Sequence, residues 1–144
     1  MSEFTIHLAD WTQEQTRLSQ VRRAVFIDEQ GVPEALEWDA DDAGALHFLV
    51  VGRAGQGIAC ARLLPDGRIG RMAVLPAWRG RGVGRALLAA VLDAAWSRGH
   101  DTLSLSAQTH AAAFYAAAGF SAVGGEYMEA GIPHVAMQKT RGRA

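Results

Sequence analysis

The sequence predicts an α/β domain of the α+β kind. It should hold a mixed, mostly antiparallel central sheet of about seven strands flanked by helices, in the order β-α-β-β-β-α-β-α-β-β. Three observations lead there. Short apolar or alternating runs, separated by Gly and Pro, recur along the chain as strands do. Two of them, residues 68–75 and 102–107, are joined by a Gly-rich loop and a long amphipathic helix, which requires a parallel pair and a right-handed crossover. The 144 residues suit a single domain, 1–144, with no internal repeat or linker.

Each element has its own signal. Residues 4–8 alternate and are β-prone. Asp10 or Thr12 can cap a helix running to about Ile27, with Leu18, Val21 and Val25 on its apolar face. Gly31 and Pro33 end it. Residues 45–52 form an apolar strand, Arg53-Ala54-Gly55-Gln56 a hairpin loop and residues 57–64 the partner strand. Pro65-Asp66-Gly67 turns the chain into the strand at Arg68. The helix from about Gly82 to Arg98 places Leu87, Leu88, Val91, Leu92 and Ala95 on one face, and Gly99 caps its end. A short alanine-rich helix, 110–118, is capped by Gly119. Residues 120–127 and 133–139 make a final antiparallel pair across Glu129-Ala130-Gly131, and residues 141–144 are a tail.

Composition narrows the function. With 49% apolar and 20% charged residues the chain is globular. A net charge of −1 gives no support to nucleic-acid or membrane attraction. The cation skew, thirteen Arg against one Lys, reflects genome composition more than function. Cys60 is the sole cysteine, so there is no disulfide framework. It lies between Ala59 and Ala61 as a small core residue. The five histidines show no paired spacing with carboxylates, so no metal is expected. The N-terminus lacks a basic stretch followed by an apolar run, and a cytoplasmic location is the default.

Residues 28–42 hold seven of the fifteen acids and no Lys or Arg. Two readings stand side by side: a solvated acidic loop, or an acceptor-site wall that attracts a cationic amine. His47 lies in an apolar strand and is expected to pair with a buried acid, Asp41 being the plausible partner.

The chemistry centres on residues 68–88. A strand, a bare loop and a helix start follow one another. Helix N-termini leave main-chain N–H groups unpaired and carry partial positive charge. Glycines let an anion approach them, and Arg79, Arg81 and Arg85 add full charge, so a diphosphate-bearing ligand is expected. A Walker loop is excluded because Arg85-Ala86 follows Gly84. A dinucleotide fingerprint is excluded because Arg85 or Leu87 stands where its third glycine belongs.

The pattern Arg79-x-x-Gly82-x-Gly84 resembles the acetyl-CoA loop of the GNAT N-acetyltransferase superfamily. Ala113-Phe114-Tyr115 followed by Gly119-Phe120 is similar to that family's second signature. Val21 to Phe26, Glu29-Gln30-Gly31, Asp41, His47-Phe48, Ala107-Gln108 and Gly131 to His134 resemble its ElaA-like and YjcF-like branch. The resemblance implies acetyl-CoA as co-substrate, no metal, and direct attack of a primary amine on the thioester. It implies main-chain contacts to the cofactor arm from Met72, Ala73 and Val74, with an N–H near Val74 as oxyanion donor. It places Arg79, Gly80, Arg81, Gly82, Val83, Gly84 and Arg85 around the phosphates, with Phe114 beside them. Gln108 would bond cofactor or acceptor, or simply start the following helix. Tyr115 matches the general acid. Glu29, if burial raises its pKa, or His134 would be the base. The acceptor is a small-molecule amine or a lysine-bearing chain, with polyamine, amino sugar, aminoglycoside and lysine-rich peptide equally admitted. A homodimer through Trp11, Trp38 or Trp78 is compatible with the sequence, although single tryptophans more often line a core or pocket. The alternative to an enzyme is a non-catalytic acyl-CoA-binding sensor.

Overall fold

The computed structural model describes residues 3–142. Residues 1 and 2 of the N-terminal stretch and residues 143 and 144 of the expected tail lie outside the described residues. One sheet runs β1-β2-β3-β4-β5-β7-β6. Its strands are β1 Phe4–Ala9, β2 Leu46–Gly52, β3 Gly57–Leu63, β4 Arg68–Val74, β5 Thr102–Gln108, β6 Ser121–Glu129 and β7 Ile132–Thr140. Every neighbour pair is antiparallel except β4 and β5. This is the mixed sheet the sequence predicts, with the crossover where the long helix requires it.

Helix α1, Trp11–Arg22, covers one face of the sheet and α3, Val83–Ser97, the other. Val83, Leu87, Leu88, Val91 and Ala95 on α3 bury against Phe48, Val50, Ile58, Leu103 and Leu105. Beneath α1, Leu18, Val21 and Val25 close over Leu49, Cys60 and Ala73. Cys60 is the inert core residue its neighbours suggest, and burial pushes its thiol up to about 12. The final pair turns on Ala130-Gly131, at φ +52° and +77°. This two-residue turn extends both strands beyond their expected ends. β6 is the outer strand, exposed along its length, with an irregular register between Val123 and Tyr127.

The first helix departs from expectation. Asp10 caps it, accepting from the Gln13 N–H at 3.1 Å. It continues past Ile27, but from Arg23 to Glu29 its winding widens to a π-helix. A short helix α2, Glu34–Glu37, and a 3-10 turn, Ala40–Gly44, follow.

The acidic stretch is more than a solvated loop: it walls a cleft at Glu29, Glu37, Asp39 and Asp41, and arginines from other elements fold onto it. Arg22 donates to Glu37 at 2.8 Å and to Asp42 at 2.7 Å. Arg62 donates to Asp39 at 2.7 Å and Asp42 at 2.8 Å. Arg71 reaches Glu37 and Asp39, each at 3.1 Å, and Arg23 pairs with Glu34. Arg22, Arg62, Glu37 and Asp42 are buried, so the charges must be matched one to one. His47 is also corrected. Its Nε2–H donates to the Asp42 main-chain oxygen at 2.8 Å, not to the Asp41 carboxylate, and burial lowers its pKa. The three tryptophans are occupied within the chain. Trp11 stacks on His47, Arg22 lies over both Trp11 and Trp38, and Arg81 lies over Trp78.

Arg22→Ala would leave two buried carboxylates short of a partner and should cost about 3–5 kcal/mol in urea unfolding. A loss under 1 kcal/mol would show that the pairing is not what matches these charges.

Candidate active site

The site follows from a parting in the sheet. β4 pairs with β5 only at Arg68↔Ser104 and Ile69↔Leu105, and beyond Ile69 the two strands diverge. β5 stays paired with β7 to its end, so the β5-facing edge of β4 from Gly70 to Val74 has no strand beside it. A cleft of about 1090 Å³ opens there. Met72, Tyr115 and Phe114 line it from the β4 side, and Gln108, His134 and Ala136 from the other. Phe26, Gln30, Val32 and Leu36 of the α1–α2 segment form a third wall.

A hollow of about 540 Å³ lies beside the α3 N-terminus, lined by Val74, Trp78, Arg79, Gly80, Gly82 to Arg85 and Phe114. Gly82 is the N-cap, at φ +82°, and offers no side-chain cap. The first helical bond runs from the Ala86 N–H to the Gly82 oxygen at 3.0 Å. The N–H groups of Val83, Gly84 and Arg85 therefore have no partner within the helix. At Gly84 a Cβ would stand 3.5 Å from the Phe114 ring, narrowing the space between loop and ring. A bare, positively polarised cradle of this kind fits a diphosphate.

Tyr115 sits on α4, Ala112–Ala117. Its ring packs edge-on against Phe114 and Phe120 at 5.1 and 6.1 Å. Its hydroxyl donates to the Met72 sulfur at 3.6 Å. Burial pushes its pKa up to about 12, so the hydroxyl keeps its proton at physiological pH.

Glu29 and Arg79 meet where the two hollows join. Arg79 donates to both Glu29 oxygens, at 2.7 and 2.6 Å, and its Nε donates to the Val74 oxygen at 3.0 Å. The guanidinium holds Glu29 below the usual carboxylate range. A base needs the opposite shift, and the side chain is exposed rather than buried. His134 is buried, and its Nδ1–H donates to the Ile132 oxygen at 2.7 Å. Its Nε2 lies 3.5 Å from Glu129. Gln108 donates to the Gln30 side-chain oxygen at 2.6 Å and ties the end of β5 to the π-helix. Arg81 lies over Trp78 and 3.7 Å from Glu3, while Arg85 is exposed on the first turn of α3.

The structure thus brings Met72, Val74, Gln108, Phe114, Tyr115, Glu29 and His134 to one cleft and residues 79–85 to its mouth. Ala73 faces the other way, under α1. Gln30 lies within the Glu29-Gln30-Gly31 motif but has no role assigned from sequence, and nothing in the sequence marks Arg71.

A parted parallel pair beside a glycine-built helix start can seat an amide-bearing arm together with its diphosphate. The chain belongs to the GNAT acetyltransferase family, whose domain model matches residues 7–141. It is 35% identical over 122 residues to the uncharacterized N-acetyltransferase YjcF of Bacillus subtilis, covering 83% of this chain and 87% of the relative. It is 35% identical over 130 residues to protein ElaA of Escherichia coli, covering 85% and 84%. The crystal structure of an acyl-CoA N-acyltransferase from Pseudomonas aeruginosa superposes with a TM-score of 0.83 at 36% identity, over 95% of this chain and 98% of that one. The chain is accordingly an acyltransferase, and no described helix is long and apolar enough to cross a membrane.

Arg62 likewise holds Asp39 below the usual carboxylate range. A depressed carboxylate contributes its full stability above its unfolded pKa, about 4, and loses it as pH falls through the depressed value. The melting temperature should hold above about pH 5 and fall below about 4, and Asp39→Asn should flatten that fall. An unchanged acid limb in the variant removes Asp39 from the account.

Proposed function

We propose that the chain moves the acetyl group of acetyl-CoA to a primary amine by direct attack on the thioester carbonyl. The observation that carries this reading is the Tyr115 hydroxyl, protonated and lodged against Met72 in the parted β4/β5 cleft, next to the bare N-terminus of α3.

The residues divide the work. The loop from Gly80 to Arg85 takes the diphosphate on main-chain N–H groups, with Arg81 and Arg85 near enough to add charge and Phe114 flanking them. The free edge of β4 at Met72, Ala73 and Val74 pairs with the amide-bearing cofactor arm as an added strand would. An N–H near Val74 donates to the carbonyl oxygen as negative charge develops there. As the new C–N bond forms and the C–S bond breaks, the Tyr115 proton passes to the departing sulfur. The amine must also shed a proton. His134 suits this better than Glu29: with Nδ1–H given to Ile132, Nε2 faces the Glu129 carboxylate across 3.5 Å and would take the proton beside it. Glu29 would first have to be released by Arg79. Gln108 holds the cleft wall in place through Gln30.

The walls also support a class of acceptor. Glu34, Glu37, Asp39 and Asp42 are already matched to arginines, and Glu29 is matched to Arg79. Among the described acids of the cleft, a polycation would find only Asp41 and Glu129 without an arginine partner. Leu36 and Val123 line the same cleft at 57% and 53% exposure, beside Phe26 and Val32. The apolar walls favour an amine with an apolar body.

Tyr115→Phe should lower kcat by roughly 10²–10⁴-fold with CoA binding retained, and the wild-type rate should show no Tyr115 limb below pH ~11. An unchanged rate removes the acid role. In a thiol-release assay phenethylamine should exceed spermidine in kcat/KM, and Leu36→Asp should narrow the gap. Preference for spermidine rejects the apolar acceptor.

A further inference from the structure

β4 changes face partway along. Ile69 belongs to the core under α3, and strict alternation would send Arg71 and Ala73 there and Met72 and Val74 toward α1. The observed order is the reverse. Met72 and Val74 pack against the α3 core, and Ala73 lies under α1. The reversal comes from one extra residue. Cys60 pairs with Ala73 and Arg62 with Gly70, so Arg71 and Met72 together oppose Ala61. Arg71 sits at φ +48°, a left-handed conformation that a residue with a Cβ rarely adopts.

The guanidinium of Arg71 accounts for the placement of that extra residue. Its Nε donates to the Glu37 main-chain oxygen at 3.3 Å. Its terminal nitrogen donates to the same oxygen at 3.0 Å, to the Leu36 oxygen at 3.3 Å and to the Asp39 carboxylate at 3.1 Å. The Glu37 carboxylate lies 3.1 Å from Nε, and the Arg71 carbonyl accepts from the Cys60 thiol at 3.4 Å. The acceptors all belong to α2 and its neighbours on the α1 side, so the side chain is pulled off the face that alternation would assign it.

We infer that Arg71 is a positioning residue for acyl transfer: anchored on α2 and Asp39, it holds the β4 bulge that turns Met72 toward the Tyr115 hydroxyl and sets the free strand edge for the cofactor arm. The inference rests on the transfer reading for its kinetic consequence but not for its structural one. It also links the acceptor-side wall to the cofactor-side strand through one guanidinium.

Three variants and two readouts test it. The Met72 methyl resonance reports the nearby Tyr115 ring, and thiol release with phenethylamine reports turnover. Glycine accepts a positive φ, whereas alanine at that position is strained and unanchored. Both readouts should therefore rank wild type above Arg71→Gly and Arg71→Gly above Arg71→Ala, against the ordinary strand preference for alanine. Misplacement of Met72 and the β4 edge should cost the alanine chain about tenfold or more in kcat. Should that chain not fold, Arg71→Lys takes its place, because one ammonium cannot span these acceptors and lysine too should fall below glycine. A wild-type Met72 shift and rate in Arg71→Ala, or glycine no better than alanine or lysine, overturns the inference. If the wild-type protein releases no thiol with any amine, the transfer reading fails and the methyl series alone decides the role of Arg71.

Discussion

The structure depends on a small set of charges, four of the six buried, that must be matched. Arg22, Arg62 and Arg71 converge on Glu37, Asp39 and Asp42 between α1, α2, β3 and β4. Charges removed from water are costly unless paired with good geometry, and this requirement fixes which segments lie together. Their directional bonds tie the cleft wall at α2 to the bent strand β4.

The cleft is what remains when two neighbouring strands stop pairing. β5 is held by β7, and β4 is held by β3 and by its charged side chain, so neither follows the other. The gap exposes main-chain groups that an amide-rich ligand can satisfy, and α3 begins at its mouth with three free N–H groups. Tyr115 and His134 approach from α4 and β7, so the groups proposed to handle protons are supplied by elements different from those that would grip the ligand.

Part of this was legible from sequence. The glycines at 82 and 84 announce a bare helix start because no other residue leaves the space open, and Phe114-Tyr115 before Gly119 marks the short helix beside it. The order of elements along the chain could be read from alternation and turns, though not the place of β7 between β5 and β6. What stayed hidden is tertiary. The acids of 28–42 have no cation among them, so which arginines they pair with, at 22, 62 and 71, is invisible until the chain folds. A π-helix shifts the apolar spacing too little to show within one turn and a half. The bulge at Arg71 is silent because an arginine mid-strand reads as an ordinary solvent-facing residue. Glu29 likewise looked free in the sequence, since its partner Arg79 is fifty positions away.

The outermost strand, β6, presents a full row of main-chain groups to water, with Val123 and Met128 largely exposed on it. A flat strand of that kind would invite chain after chain to stack on it. Its irregular register and the left-handed Gly124, at φ +82°, break the row near its middle, and Glu126 and Glu129 add negative charge. The kink therefore interrupts the ladder that an added strand, and so a growing fibre, would need.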